Sequence, residues 1–202
     1  MTAERVISQD VEATVRQHQE HDAAGNSKFG FIVFLLSESV IFLSFFTGYI
    51  VYKTTNPDWY PPGVTGLETR EPLINTLVLV SSSFVIYVAE RYLHDKKLWG
   101  FRIFLLATMA MGGYFLLGQA VEWSSLPFGF KDGLFGGMFY LLTGFHGLHV
   151  LTGILLQTLM LGRSFISGNY DNGFFGVEAT SLFWHFVDVI WIVLYTLIYV
   201  WQ

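Results

Sequence analysis

This chain of 202 residues contains no cysteine and few charged residues. The absence of cysteine excludes a disulfide framework, thiolate metal sites and thiol catalysis. Charged residues make up only 13% of the chain and hydrophobic residues 52%, whereas a soluble domain carries about a quarter charged residues. Too few polar side chains are present to cover the outside of a water-soluble fold. We therefore predict that most of the protein surface faces lipid.

Basic patches and the motifs of soluble enzymes are missing as well. The 11 Lys and Arg residues are scattered among 16 Asp and Glu residues, so no phosphate-binding surface forms and we expect no nucleic-acid partner. The sequence contains no Walker loop, no G-x-S-x-G motif, no H-E-x-x-H motif and no Gly-rich dinucleotide fingerprint. These absences argue against the common nucleotide-binding, hydrolytic and zinc-protease functions.

What the chain does contain is five long hydrophobic segments, and crossing a bilayer takes about 20 apolar residues. The predicted segments are 29–52, 73–92, 98–121, 133–161 and 178–201. The connections are short and rich in Gly, Pro and charged residues, which is typical of loops. We predict an all-α polytopic membrane protein, a bundle of five transmembrane helices over residues 29–202.

A polar segment, residues 1–28, precedes the first hydrophobic segment. It lacks the apolar core of a signal peptide. Val6, Val11 and Val15 could give it a weakly amphipathic helix, but we expect a partly disordered tail.

The distribution of basic residues predicts the orientation in the membrane. Eight of them fall on one side of the predicted bundle: Arg5, Arg16, Lys28, Arg91, Lys96, Lys97, Arg102 and Arg163. Only Lys53, Arg70 and Lys131 fall on the other side. Because basic residues concentrate on the cytoplasmic side, we expect a cytoplasmic N-terminus and, after five crossings, an external C-terminus.

Glu38 is an isolated carboxyl group inside the first hydrophobic segment. It lies about ten residues into that segment, or roughly 15 Å along a helix, which is near the middle of a membrane. Ionising a carboxyl group there is costly unless it has a partner, so we expect Glu38 to be mostly protonated. Two roles remain open: a proton-relay or regulatory carboxyl group, and a hydrogen-bonded tie between helices.

Polar residues also line single faces of the fourth and fifth segments. On the fifth, spacings of 3, 4 and 3 residues place four side chains within an arc of about 80°: Glu178, Ser181, His185 and Asp188. On the fourth, the corresponding residues are Thr143, His146, His149, Gly153 and Gln157. We predict a buried polar network that joins the helices, with glycines allowing close approach. A metal site or haem ligation by the histidines is the alternative.

Several stretches together resemble subunit III of the haem-copper respiratory oxidases, in its bacterial five-helix form. They are LSESVIF, WYPPG followed by PLINTLVLVSSS, GQAVEW, TGFHGLHVLTG and FGVEATSLFWHFVDVIWIVLY. The resemblance covers roughly residues 28–202. The connection WYPPG…EPLINT is closer to the cytochrome c branch, while SLFWHF is also compatible with a quinol oxidase.

The resemblance implies a non-redox subunit of a proton-pumping terminal oxidase that reduces oxygen to water. It implies that haem and copper reside in partner subunits, that subunit I is the main contact beside subunit II, and that this chain binds no metal. It also implies support of proton uptake, protection of the active site during turnover, and bound structural phospholipid.

The resemblance also assigns roles to two residues: Glu38 matches the family's carbodiimide-reactive carboxyl group, and Arg163 matches a lipid head-group contact. The expected location is the bacterial inner membrane or a related energy-transducing membrane. A quinol oxidase subunit or an independent small transporter is the alternative.

Overall fold

The structure, a computed structural model, describes residues 3–56, 59–64, 66–170 and 173–202, with side chains from residue 25 onward. It contains five α-helices and a final π-helical turn: α1 (Ala3–Thr55), α2 (Arg70–His94), α3 (Leu98–Ser125), α4 (Gly133–Arg163), α5 (Phe175–Tyr195) and the π turn (Thr196–Val200). Among the described residues there is no β-strand. The predicted all-α architecture is confirmed.

Each helix includes a stretch long and apolar enough to cross a membrane. These spans are Gly25–Thr55, Arg70–His94, Leu98–Ser125, Gly133–Arg163 and Phe175–Val200. Every helix extends at one or both ends beyond the hydrophobic segment predicted for it. The reason is that hydropathy marks the lipid-facing part of a helix, while the helix itself ends where its backbone hydrogen bonds end.

The chain divides into two compact units, Met1–Glu38 and Ser39–Gln202. The first unit is the N-terminal part of α1, which is helical from Ala3. The sequence predicts a partly disordered tail here, whereas its described residues are helical. It has no Pro and no Gly before Gly25, and extending a formed helix costs far less free energy than nucleating a new one.

In the second unit, α2 and α3 form a tight helical hairpin. The turn between them is closed by backbone bonds from Lys96 N to Leu93 O (2.9 Å) and from Lys97 N to Tyr92 O (2.9 Å). Lys96 takes a left-handed conformation with φ of 59°. α5 packs against both α2 and α4, and α4 also packs against α3. Large aromatic side chains fill the space enclosed by these helices.

Trp184 of α5 occupies a space that glycines on two other helices leave open. A β-carbon on Gly112 of α3 would lie 2.6 Å from the Trp184 ring, and one on Gly153 of α4 would also lie 2.6 Å from it. Trp184 is fully buried as a result. The prediction that glycines of the fourth segment permit close helix packing is confirmed at Gly153.

Candidate functional site

A polar cluster joins α2 and α5 near the middle of their membrane spans. Ser83 of α2 donates its hydroxyl hydrogen bond to Asp188 Oδ2 of α5, and its Oγ lies 2.9 Å from His185 Nδ1. Ser181 Oγ lies 3.5 Å from the other ring nitrogen of His185. Asp188 is only 3% exposed. The polar face predicted for α5 therefore faces α2, and its His185 and Asp188 share one partner.

Two indole groups tie the same pair of helices close to this cluster. Trp184 Nε1 donates to Ser82 Oγ at 2.8 Å, and Trp191 Nε1 donates to Thr76 Oγ1 at 2.9 Å. All four side chains are buried. Since a buried indole N–H requires an acceptor, these bonds fix the register of α5 against α2. The hydroxyl groups of α2 were not predicted as site residues, although Thr76 and Ser83 are seven residues apart on one helix face.

His146 of α4 lies between aromatic rings. It is fully buried, with its ring centroid 4.7 Å from Trp191 and 5.6 Å from Phe115. Within the described part of the chain, neither His146 ring nitrogen has a hydrogen-bond partner, and the same holds for the side-chain amide of Gln157. The structure thus places His146 in the core without joining it to the hydrogen-bonded cluster of α5.

The other predicted residues lie at separate places. His149 Nδ1 is 2.8 Å from the carbonyl oxygen of Phe145 on its own helix. Glu178 lies half-buried in the first turn of α5. Arg163 is exposed at the end of α4, where its Nη2 is 3.5 Å from Asn169 Oδ1. Glu38 is half-buried near the middle of the Gly25–Thr55 span.

A second carboxyl cluster, not predicted, lies at the opposite end of the α2–α3 hairpin from its turn. Tyr199 of the π turn donates to Glu122 Oε1 at 2.7 Å, and Gln119 Nε2 donates to Glu122 Oε2 at 2.9 Å. Gln202 forms two bonds to the backbone of Leu67, at 2.9 and 3.1 Å. Gln119 and Glu122 stand three residues apart in GQAVEW, a spacing that indicates one helix face.

The described residues contain no group of three or more His, Asp or Glu side chains that could hold a metal ion. The histidines predicted as possible ligands are instead held by a serine, a backbone carbonyl and aromatic rings. The arrangement supplies ties between helices through the hydrogen bonds of Ser83 and the ring contacts of His146.

Five membrane-spanning helices with polar ties define an integral membrane protein of the polytopic α-helical class. The family model described as "Cytochrome c oxidase subunit III" matches residues 4–202. The chain belongs to the cytochrome c oxidase subunit III family, whose members are subunits of a terminal oxidase.

Curated relatives agree with this assignment. The chain is 42% identical over 197 residues to "Cytochrome c oxidase subunit 3" of Synechocystis, covering 96% of this chain and 84% of that protein. A protein of the same name from Thermostichus vulcanus is 43% identical over 172 residues, covering 85% of each chain. The human protein of that name is 36% identical over 197 residues, covering 94% of this chain and 75% of the human one.

Proposed function

We propose that this chain is the non-redox subunit III of a proton-pumping cytochrome c oxidase, which reduces oxygen to water in aerobic respiration. The observation that carries the proposal is the match of the family model to residues 4–202, which include all five helices. The relatives from cyanobacteria and from human all carry the cytochrome c oxidase name. This favours cytochrome c over a quinol as the electron donor.

In this proposal, haem and copper reside in partner subunits. Subunit I is the main contact and subunit II a further one. The role of this chain is to support proton uptake and to protect the active site during turnover. The rigid ties between α2 and α5, through Ser83 and through two indole groups, support such a structural role. They hold one helix pair in a fixed register at mid-membrane depth.

Bound phospholipid is part of the same proposal. Arg163 is exposed at the end of α4, and a guanidinium group can bind a phosphate oxygen with paired hydrogen bonds. Only one contact, to Asn169 at 3.5 Å, engages its Nη2 among the described residues. An anionic lipid head group at this helix end fits that geometry.

The proposed location is the bacterial inner membrane or a related energy-transducing membrane, with the N-terminus in the cytoplasm and the C-terminus outside. Basic residues support this orientation. The α2–α3 turn carries Lys96 and Lys97, and the end of α4 carries Arg163. Both connections lie on the side where the positive-inside rule places the cytoplasm.

The test is purification through an affinity tag on this chain in a mild neutral detergent. We expect a larger complex that contains haem and copper and oxidises reduced cytochrome c while consuming oxygen. The chain separated from that complex should show no Soret band and less than one equivalent of iron, copper or zinc. Oxidation of a quinol in place of cytochrome c would reassign the donor. Migration of the chain alone, with the oxidase fully assembled without it, would contradict the subunit assignment.

A further inference from the structure

A cavity of about 620 Å³ lies between the first turns of α2 and the last turns of α3. Its wall is completed by residues 64 and 66–68, before α2, and by residues 126–128, after α3. We call it the acidic pocket because its lining includes the carboxyl groups of Glu68, Glu71 and Glu122. It is at the end of the α2–α3 hairpin away from the turn, and its volume lies in the range of small-molecule sites, about 300–1,000 Å³.

The charge of the acidic pocket is of one sign. No Lys, Arg or His is among its lining residues. Glu68 and Glu71 are exposed at the mouth. The pocket contains the positive end of the α2 dipole and the negative end of the α3 dipole, and these oppose each other. The three carboxyl groups therefore set the electrostatic preference, which is for a cation.

Asn75 gives independent support for a ligand. Its side chain lines the pocket and is only 8% exposed. It packs against α3 where Gly118 has no side chain; a β-carbon on Gly118 would overlap the Asn75 amide. Its amide takes part in none of the hydrogen bonds found among the described residues. The Asn75 amide is not among the fully enclosed polar atoms that lack a partner, so it reaches the open space of the pocket, where it can donate to or accept from a ligand.

The remaining wall of the pocket is apolar and open to lipid. Tyr114, Leu117 and Val121 line it from one face of α3 and are 50%, 70% and 67% exposed. All three lie within the membrane span Leu98–Ser125. The pocket thus joins a carboxyl-lined end to a hydrocarbon-facing groove. A ligand that fills both parts needs a cationic group at one end and an apolar chain at the other.

We propose that the acidic pocket binds a cationic amphiphile, a lipid-like molecule with an amine head group and a long hydrocarbon chain. The ammonium group lies among Glu68, Glu71 and Glu122 and donates a hydrogen bond to the Asn75 side-chain oxygen. The hydrocarbon chain follows Tyr114 and Leu117 along α3. This site differs in charge and place from the anionic lipid contact proposed at Arg163, and it does not depend on that contact.

The experiment uses the intact oxidase complex in a neutral maltoside detergent. The probes are sphinganine carrying a diazirine in its chain and palmitic acid carrying the same group. After photolysis, peptide mapping locates the attached label. We expect the amine to label the segment around Leu117 and the acid to leave it unlabelled. Equal labelling by both probes, or labelling of the amine only elsewhere, would overturn the proposal.

Three variants sharpen the test. Changing Glu68→Gln together with Glu71→Gln should lower amine labelling at this segment by about tenfold, because two charges facing the ammonium are removed. Leu117→Trp should lower labelling by filling the groove along the apolar wall.

The control variant changes Glu90→Gln and Asp95→Asn at the other end of the same hairpin and should leave labelling unchanged. Undiminished amine labelling in the variant with Glu68→Gln and Glu71→Gln would contradict the proposal. Labelling that occurs only when the chain is separated from the complex would also contradict the proposal, because it would mean that a partner subunit fills the pocket in the intact oxidase. Oxygen consumption serves as the check that each variant is assembled.

Discussion

Trp184 lies directly against the backbone of Gly112, so closely that a β-carbon on that glycine would be 2.6 Å from ring atom Cη2. The next residue, Gly113, has no atom within 4 Å of the corresponding position. Two adjacent glycines on α3 thus differ in whether they can accept a methyl group. Of these two, only Gly112 must lack a side chain for α5 to pack against α3 at its observed distance.

Gly112→Ala should destabilise the protein relative to Gly113→Ala. Both variants gain the same helix propensity, about 1 kcal/mol, but only the first forces a large buried ring to move, which costs about 1–3 kcal/mol. The measurement is thermal unfolding of the two purified variants in one detergent. If both unfold at the same temperature, the contact between Gly112 and Trp184 is not tight in the protein.

Tyr199→Phe should destabilise the end of the chain. The variant removes the hydroxyl donor that lies 2.7 Å from Glu122 Oε1 and leaves a half-buried carboxyl oxygen with one hydrogen bond fewer, at a cost of about 1–3 kcal/mol. Hydrogen exchange of residues 196–202 should rise, and thermal stability should fall. Tyr195→Phe is the matched control, because its hydroxyl group makes no hydrogen bond among the described residues. A similar loss of stability in both variants would show that the hydrogen bond from Tyr199 to Glu122 does not stabilise the end of the chain.

Single cysteines can test the orientation, since the chain has none of its own. A membrane-impermeant thiol reagent added from outside to whole cells should label Pro62→Cys and leave Lys97→Cys unlabelled. Both positions are exposed and lie in connections at opposite ends of α2. The control is permeabilised cells, in which both should react. Labelling of Lys97→Cys alone in intact cells would reverse the proposed topology.

Glu38→Gln should leave the initial rate of oxygen consumption largely intact, because the proposed function assigns the redox chemistry to partner subunits. Glutamine keeps the shape and hydrogen-bonding capacity of the side chain but cannot release a proton. Any effect should appear as less efficient proton uptake or faster inactivation during turnover, and carbodiimide modification of this chain should disappear. Glu90→Gln, near the end of α2, is the control. Immediate loss of oxygen reduction in a fully assembled variant with intact haems would place the chemistry in this chain.

The sequence predicted the number and type of helices because hydrophobic length alone sets both in a membrane. It did not predict the start of α1 at Ala3, since a polar helix outside the membrane carries no hydropathy signal. Spacing on one helix correctly grouped His185 with Asp188. It could not identify Ser83 as their shared partner, because periodicity describes one helix face and not the face packed against it.

His146 and Glu122 also show that spacing along one helix does not predict which side chains of other helices a residue contacts. His146 shares the polar face of α4, yet aromatic rings from α3 and α5 surround it. Glu122 lies near the end of a hydrophobic segment and could be taken for an interfacial charge, yet it accepts hydrogen bonds from two helical elements. For His146, and for the bond from Tyr199 to Glu122, the deciding atoms belong to residues far away in the sequence. Gln119, the other donor to Glu122, lies only three residues away.

The polar cluster of Ser83, His185 and Asp188 also determines how the Asp188 carboxyl group is solvated. The Ser83 hydroxyl has a single hydrogen, and because Asp188 receives it, a hydrogen bond between Ser83 Oγ and His185 Nδ1 requires the ring proton to be on Nδ1. That tautomer leaves the Nε2 lone pair directed to Ser181. Three neutral groups thus align their dipoles toward Asp188 Oδ2 and stand where water molecules would otherwise orient. Asp188 Oδ1 has no such support, because it is buried without a hydrogen-bond partner among the described residues. Deep in the bilayer, the α2–α5 pair therefore solvates one carboxyl oxygen of Asp188 with protein groups and leaves the other oxygen unsolvated.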